Sequence, residues 1–235
     1  MVSRHLFAAL LLLLPLLPAH AGIVINGTRV IYPAERREVT LQLNNTGEHP
    51  ALVQSWIDSG KMDSQPASEK APFVILPPVA RVDAGRSQTL RIIYSGAPLA
   101  SDRETLYWLN VLDIPPELDS AQSKNYLQFA VRSRLKFFFR PKGLKGNPAK
   151  AASQLTWQLD KARGVLRVEN PTPYHVTLDR IRLAGQSLPS GMVKPFSHLD
   201  LSLPAKATPE LPATLQFANI NDYGAAQPHQ IRLKR

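Results

Sequence analysis

The residues of this sequence best placed to do chemistry are cations on an extended segment. Residues 127–141 read Leu-Gln-Phe-Ala-Val-Arg-Ser-Arg-Leu-Lys-Phe-Phe-Phe-Arg-Pro. Leu127, Phe129, Val131, Leu135, Phe137 and Phe139 fall at odd positions, with Ser133 as the one interruption. Period two puts that apolar row on one face of a β-strand. Arg132, Arg134, Lys136 and Arg140 fall on the other face, where they could attract anionic groups. The pattern is open to two readings. A half-buried sheet strand would keep its charged face in water. An edge strand would offer apolar side chains and unpaired backbone groups to another extended chain.

Other chemistry is thin. The sequence has no Gly-x-Ser-x-Gly elbow, no glycine-rich phosphate loop and no His-Glu-x-x-His. No catalytic residue, metal site or cofactor is therefore expected. His198 and Asp200 would share a strand face, but two ligands on an exposed face are a weak metal signal. The absence of cysteine rules out thiol catalysis and disulfide staples. An exported chain of this kind must hold together by core packing.

Export follows from the first residues. Arg4 precedes an apolar run from Leu6 to Leu17, broken only by Pro15, and Ala19-His20-Ala21 supplies a small-x-small cleavage pattern. Residues 1–21 read as a secretory signal peptide. The run is shorter than the ~20 residues that cross a bilayer, so no membrane insertion is expected once it is removed. About 214 residues remain (235 − 21), enough for two domains of roughly 100 residues. The formal net charge of +10 becomes +9 without Arg4. The basic residues are interleaved with strand-forming apolar ones and never run to five. The charge thus points to acidic partners and solubility, and not to nucleic acid.

The elements that must position the cations are strands. Val39–Leu43, Ala51–Ile57, Phe73–Leu76, Val79–Val82, Ser87–Tyr94 and Thr105–Leu112 are short apolar or alternating runs. They are separated by Asn-Asn-Thr-Gly, Pro-Pro and Asp-Ala-Gly clusters. Residues 141–152 lack a strand pattern and read as a linker, and alternation resumes at Leu155–Leu159. The expectation is an all-β chain with a domain at 22–143 and a smaller one at 144–235. The strand number and spacing of the first point to an immunoglobulin-like sandwich, with a Greek-key barrel as the alternative architecture.

Five motifs then carry a resemblance. They are Thr28–Tyr32, Asp102–Asn110 followed by Ile114-Pro115-Pro116, Lys136–Pro141, Glu169–Tyr174 and Ile220–Gly224. In this order and spacing the chain resembles the PapD-like periplasmic chaperones of the chaperone–usher pilus pathway. PapD is a standing example of the sandwich fold, and chaperone–pilin strand donation a standing example of strand addition. These links come with the family, and spacing did not reveal them.

The resemblance implies two immunoglobulin-like domains set at an angle, boomerang-fashion. It implies that Arg29 and Lys136 grip the C-terminal carboxylate of a pilus subunit. Leu127, Phe129 and Val131 would be the donated side chains, with Leu135 as internal packing. Glu104, Arg140 and Asp222 would form a structural salt bridge between domains. The implied partners are pilus or fimbrial subunits and an outer-membrane usher, in the periplasm. A self-capping homodimer is expected when no subunit is present. The short loop at 117–126 resembles the short-loop subclass of the family. The competing reading is a secreted immunoglobulin-like binding or adhesion module that works through loop tips.

Overall fold

The computed structural model describes residues 22–66, 70–116, 128–204 and 209–234. The signal peptide, the loop at 117–126 and the donor position Leu127 lie outside the described residues. Two β-sandwiches follow one another along the chain.

The first contains β1 (Ile23–Ile25), β2 (Arg29–Pro33), β3 (Glu38–Asn45), β4 (Ala51–Asp58), β5 (Phe73–Leu76), β6 (Val79–Val82), β7 (Ser87–Tyr94), β8 (Thr105–Ile114) and β9 (Val131–Arg140). One sheet runs β1-β3-β7-β5 and the other β2-β9-β8-β4-β6. The alternation in each strand turns one set of side chains inward. Tyr32, Leu43, Val53, Leu90, Ile92, Leu109, Val111 and Phe137 are fully buried between the sheets. Removing each of these from water stabilises the sandwich by roughly 2 kcal/mol.

The opening segment divides between the sheets. β1 pairs with β3, whereas β2 pairs with β9. The switch is made at Asn26-Gly27-Thr28, where Gly27 takes a φ of 132° that side-chain-bearing residues avoid. This crossing decides where β2 starts, and so how much of β9 it covers.

The second sandwich contains β10 (Thr156–Asp160), β11 (Val165–Asn170), β12 (Val176–Leu183), β13 (Gln186–Ser187), β14 (Gly191–Val193), β15 (Ser197–Ser202), β16 (Ala213–Ile220) and β17 (Ala226–Leu233). Its sheets run β10-β11-β15 and β13-β12-β16-β17, with β14 also on β12. Leu166, Val168, Leu178, Ile181 and Leu215 fill its core.

Three features differ from the sequence expectations. Part of the expected linker forms a 3-10 helix at Pro148–Gln154, capped by Asn147. The segment holding the Thr28–Tyr32 motif forms two strands, β1 and β2. Most consequentially, the expected long strand begins at Val131 and not at residue 127, and Gln128–Ala130 have no strand structure. The register explains this. Val131 lies opposite Asp113, so earlier residues would face Pro115 and Pro116, which have no N–H to continue the ladder. Gln128 instead donates its side-chain amide to the carbonyls of Pro115 (2.9 Å) and Pro116 (3.1 Å).

Candidate functional site

β9 changes character at its midpoint. On one side it pairs with β8 throughout, from Val131 opposite Asp113 to Phe139 opposite Thr105. On the other side β2 runs parallel to it only from Arg29, opposite Lys136, to Pro33, opposite Arg140. Among the described residues, no strand covers the outer edge of residues 131–135. That edge carries unpaired backbone groups, and Val131 and Phe129 beside it are 58% and 69% exposed. Leu135, by contrast, is buried in the first domain's core. An open edge flanked by exposed apolar side chains is a template for strand addition.

The edge leads straight to two cations. Arg29 and Lys136 are register partners on the outward face where the domains meet. Arg29 donates to the backbone oxygen of Ile220 in domain two at 2.8 Å, and Lys136 Nζ to Thr177 Oγ1 at 3.2 Å. Neither forms an ion pair among the described residues, and Arg29 Nε is buried without a hydrogen-bond partner. Burial pushes the Lys136 ammonium below its ordinary pKa, and the Arg29 charge adds to the effect. Burial likewise lowers Arg29, against the opposing pull of Asp222 and Glu104. Two half-buried cations side by side, short of a counter-charge, are arranged to accept an anion such as a carboxylate. A cleft of about 270 Å³ lies alongside, lined by Arg29, Phe138, His175, Ile220 and Tyr223 among others.

Further along, Arg140 is paired with two carboxylates. Its Nε donates to Glu104 Oε1 at 2.7 Å, and its two terminal nitrogens to Asp222 at 2.8 and 3.0 Å. Glu104 is buried, and its other oxygen accepts from the backbone N–H of His175 at 2.8 Å. Asp222 and His175 belong to domain two, so this network ties the sandwiches together. The Glu104 backbone N–H adds a bond to the Pro173 carbonyl, and Phe138 packs its ring against His175 at 5.3 Å. Gly224 lies so close to Thr28 of domain one that any Cβ there would run into the threonine hydroxyl. The fork of one guanidinium between two carboxylates fixes orientation as well as charge.

Sequence reasoning missed a second network on the outward face of β9. Arg132 lies over the Trp56 ring at 4.8 Å and Arg134 over the Trp108 ring at 4.7 Å. Both converge on Asp58, which has no exposed surface. Arg134 donates to Asp58 Oδ1 at 2.7 Å, and an Arg132 nitrogen lies 3.5 Å from Oδ2. The charged face of this strand is therefore not simply in water. The available signal was tryptophan at 56 and 108, on the polar side of alternating strands.

With this geometry in hand, the relatives are informative. Residues 22–145 match the family model "Pili and flagellar-assembly chaperone, PapD N-terminal domain". Residues 150–231 match "Pili assembly chaperone PapD, C-terminal domain". The chain belongs to the PapD family of pilus-assembly chaperones. Chaperone protein FimB/FhaD of Bordetella pertussis is 44% identical over 220 residues, covering 90% of this chain and 88% of that protein. Chaperone protein MrkB of Klebsiella pneumoniae is 44% identical over 221 residues, covering 92% and 94%. Among solved structures, that of the SafA pilin of Salmonella enterica in complex with the SafB chaperone matches with a TM-score of 0.78 and 30% identity. It covers 92% of this chain and 98% of that one. The chain is thus a fimbrial chaperone of the PapD family and not an enzyme.

Proposed function

We propose that this chaperone captures a pilus subunit along the open edge of β9 and anchors the subunit's C-terminal carboxylate between Arg29 and Lys136. Phe129 and Val131, with Leu127 two residues earlier, would enter the subunit's incomplete core while residues 131–135 supply the missing backbone hydrogen bonds. Glu104, Arg140 and Asp222 would keep the domains at the angle that presents strand edge and cations together. The observation that carries this reading is their continuity along β9, an open edge that ends where Lys136 meets Arg29 of β2, two cations with no ion-pair partner among the described residues. A carboxylate bound there would fix the register of the added strand.

The rest of the reading follows the family. Residues 1–21 direct export to the periplasm, leaving domains at 22–143 and 144–235. The few residues between Pro116 and Leu127 in the sequence support membership of the short-loop subclass, and the loaded chaperone would pass its subunit to an outer-membrane usher. Without a subunit, the exposed apolar side chains favour a self-capping homodimer. The test is co-purification from periplasm with wild type and Lys136→Ala. A small β-rich subunit recovered with the wild type alone supports the reading. Equal recovery with both overturns the carboxylate anchor and favours a binding module that uses other surfaces.

A further inference from the structure

The buried carboxylate of Asp58 has no part in the proposed carboxylate anchor or in the tie between domains, yet it is among the most completely coordinated groups in the molecule. Its Oδ1 accepts from the Gly60 backbone N–H at 2.6 Å and from Arg134 at 2.7 Å. Its Oδ2 accepts from Ser64 and from the Asn110 side-chain amide, both at 2.7 Å. Asn110 passes the connection on, since its Oδ1 takes two hydrogen bonds from Arg132, at 3.0 and 2.8 Å. The loop after β4 closes over the pair. Met62 and Lys61 carbonyls accept from Arg132 and Arg134 at 3.0 Å each. Trp56 donates its indole N–H to Ser64.

We infer that Asp58 is a positioning residue for subunit capture. It clamps Arg132 and Arg134 from behind and so holds the open edge of β9 extended and in register before a subunit arrives. This inference rests on the reading given under Proposed function.

The need for a clamp follows from what residues 131–135 lack. Among the described residues they have a strand neighbour on one side only. Their inward face offers Val131, which is exposed, and Ser133, which brings no apolar anchor; only Leu135 is held by the core. A strand end with so little holding it would fray, and ordering it at capture would cost about 1–2 kcal/mol per residue. The outward face supplies the missing hold. Two guanidiniums sit over two tryptophan rings and converge on one carboxylate, which favours a single register for the backbone between them. Apolar side chains of similar size would stabilise the sandwich at least as well as buried charges do. Directional hydrogen bonds fix a register, which apolar packing alone does less strictly. The network spans rows from β4, β8 and β9, and its β9 members are the two residues that alternate with Val131, Ser133 and Leu135.

The experiment uses the full mature chain. Asp58→Asn is the direct variant. Arg132→Gln is the milder one, because Arg132 is partly exposed and its loss leaves the Asp58–Arg134 pair intact. The first readout is hydrogen exchange in the free chaperone at the β8-facing amides of residues 131–135. The second is the rate at which the chaperone captures the denatured pilin that co-purifies with the wild type from periplasm. Arg132→Gln is expected to speed exchange at those amides about tenfold while central β4 and β8 amides keep their protection. Capture is expected to slow about tenfold at an unchanged melting temperature, and Arg132→Lys to restore part of it. Exchange that rises uniformly through domain one, or wild-type capture by a folded Arg132→Gln chain, would overturn the clamp. If the wild type itself captures no pilin, the functional reading fails first, and the exchange pattern still reports whether the clamp exists.

Discussion

β9 invites comparison between its two halves, because both carry outward-facing cations but treat them differently. In residues 131–135 the charges of Arg132 and Arg134 are taken up by Asp58, Asn110 and the loop carbonyls. In residues 136–140, Arg140 has two carboxylates of its own. Between these lies Lys136, with Arg29 opposite, and among the described residues this pair hydrogen-bonds a threonine hydroxyl and a backbone carbonyl but no carboxylate. Cations that the fold has already neutralised are structural. The half-buried pair that forms no ion pair among the described residues is the one suited to a ligand. Position on the strand does not distinguish them, since all share one face; their partners do.

The sharpest break of this comparison is Lys136→Met. Losing one member of the anchoring pair is expected to weaken subunit capture about a hundredfold, on the scale of truncating a buried charge pair. The free protein should melt at the same temperature or higher. The sign follows from the depressed Lys136 pKa. A lysine whose folded value lies below its unfolded value is costly to folding while charged, and that cost fades only as pH rises through the folded value. A variant that both loses capture and unfolds would mean that Lys136 is structural after all.

Arg140→Ala should show the opposite signature. It strands buried Glu104 and unpairs Asp222, so it is expected to cost about 3 kcal/mol and to loosen the domains. Denaturant unfolding would give the first quantity and solution X-ray scattering the second. Unchanged stability and scattering would remove Arg140 from the structural class.

Acid should separate the networks further. Burial alone would push the Asp58 carboxyl up, but hydrogen bonds from Ser64, Arg134, Asn110 and the Gly60 N–H outweigh it and hold the carboxyl below its usual range. Its contribution to stability is therefore fully present above the unfolded value of about 4 and lost as pH falls through the lower folded value. Urea unfolding between pH 6 and pH 2 should show a loss that Asp58→Asn does not share.

Phe129→Ser should do least to the fold. The side chain is largely exposed and precedes the strand, so stability should change by less than about 0.5 kcal/mol. Capture and self-association should nonetheless fall, as measured by pilin binding and by sedimentation. A large loss of stability would show that Phe129 is packed in the free protein.

Much of this was legible in the residues. The alternation of Leu135, Phe137 and Phe139 against Arg132, Arg134 and Lys136 marks a strand with one buried face, and the turn clusters mark out most of the strands of both sandwiches. The gathering of Glu104, Arg140 and Asp222 was not legible from spacing. Asp222 is 82 residues from Arg140, and only the family resemblance suggested that they meet. Asp58 went unnoticed because it closes a strand and opens a polar loop, where a carboxylate looks like any solvated one. Its partners lie 52 and 76 residues further on.

By itself the sequence determined the all-β class, the two-domain division and the face on which each β9 side chain falls, because these depend on local alternation and turn chemistry. Only the tertiary structure decided which cations are neutralised and where β9 begins, and that its outer edge is open. Those depend on which strand ends beside which. β2 starts at Arg29 after its sheet switch, and β8 stops before two prolines that cannot donate a hydrogen bond.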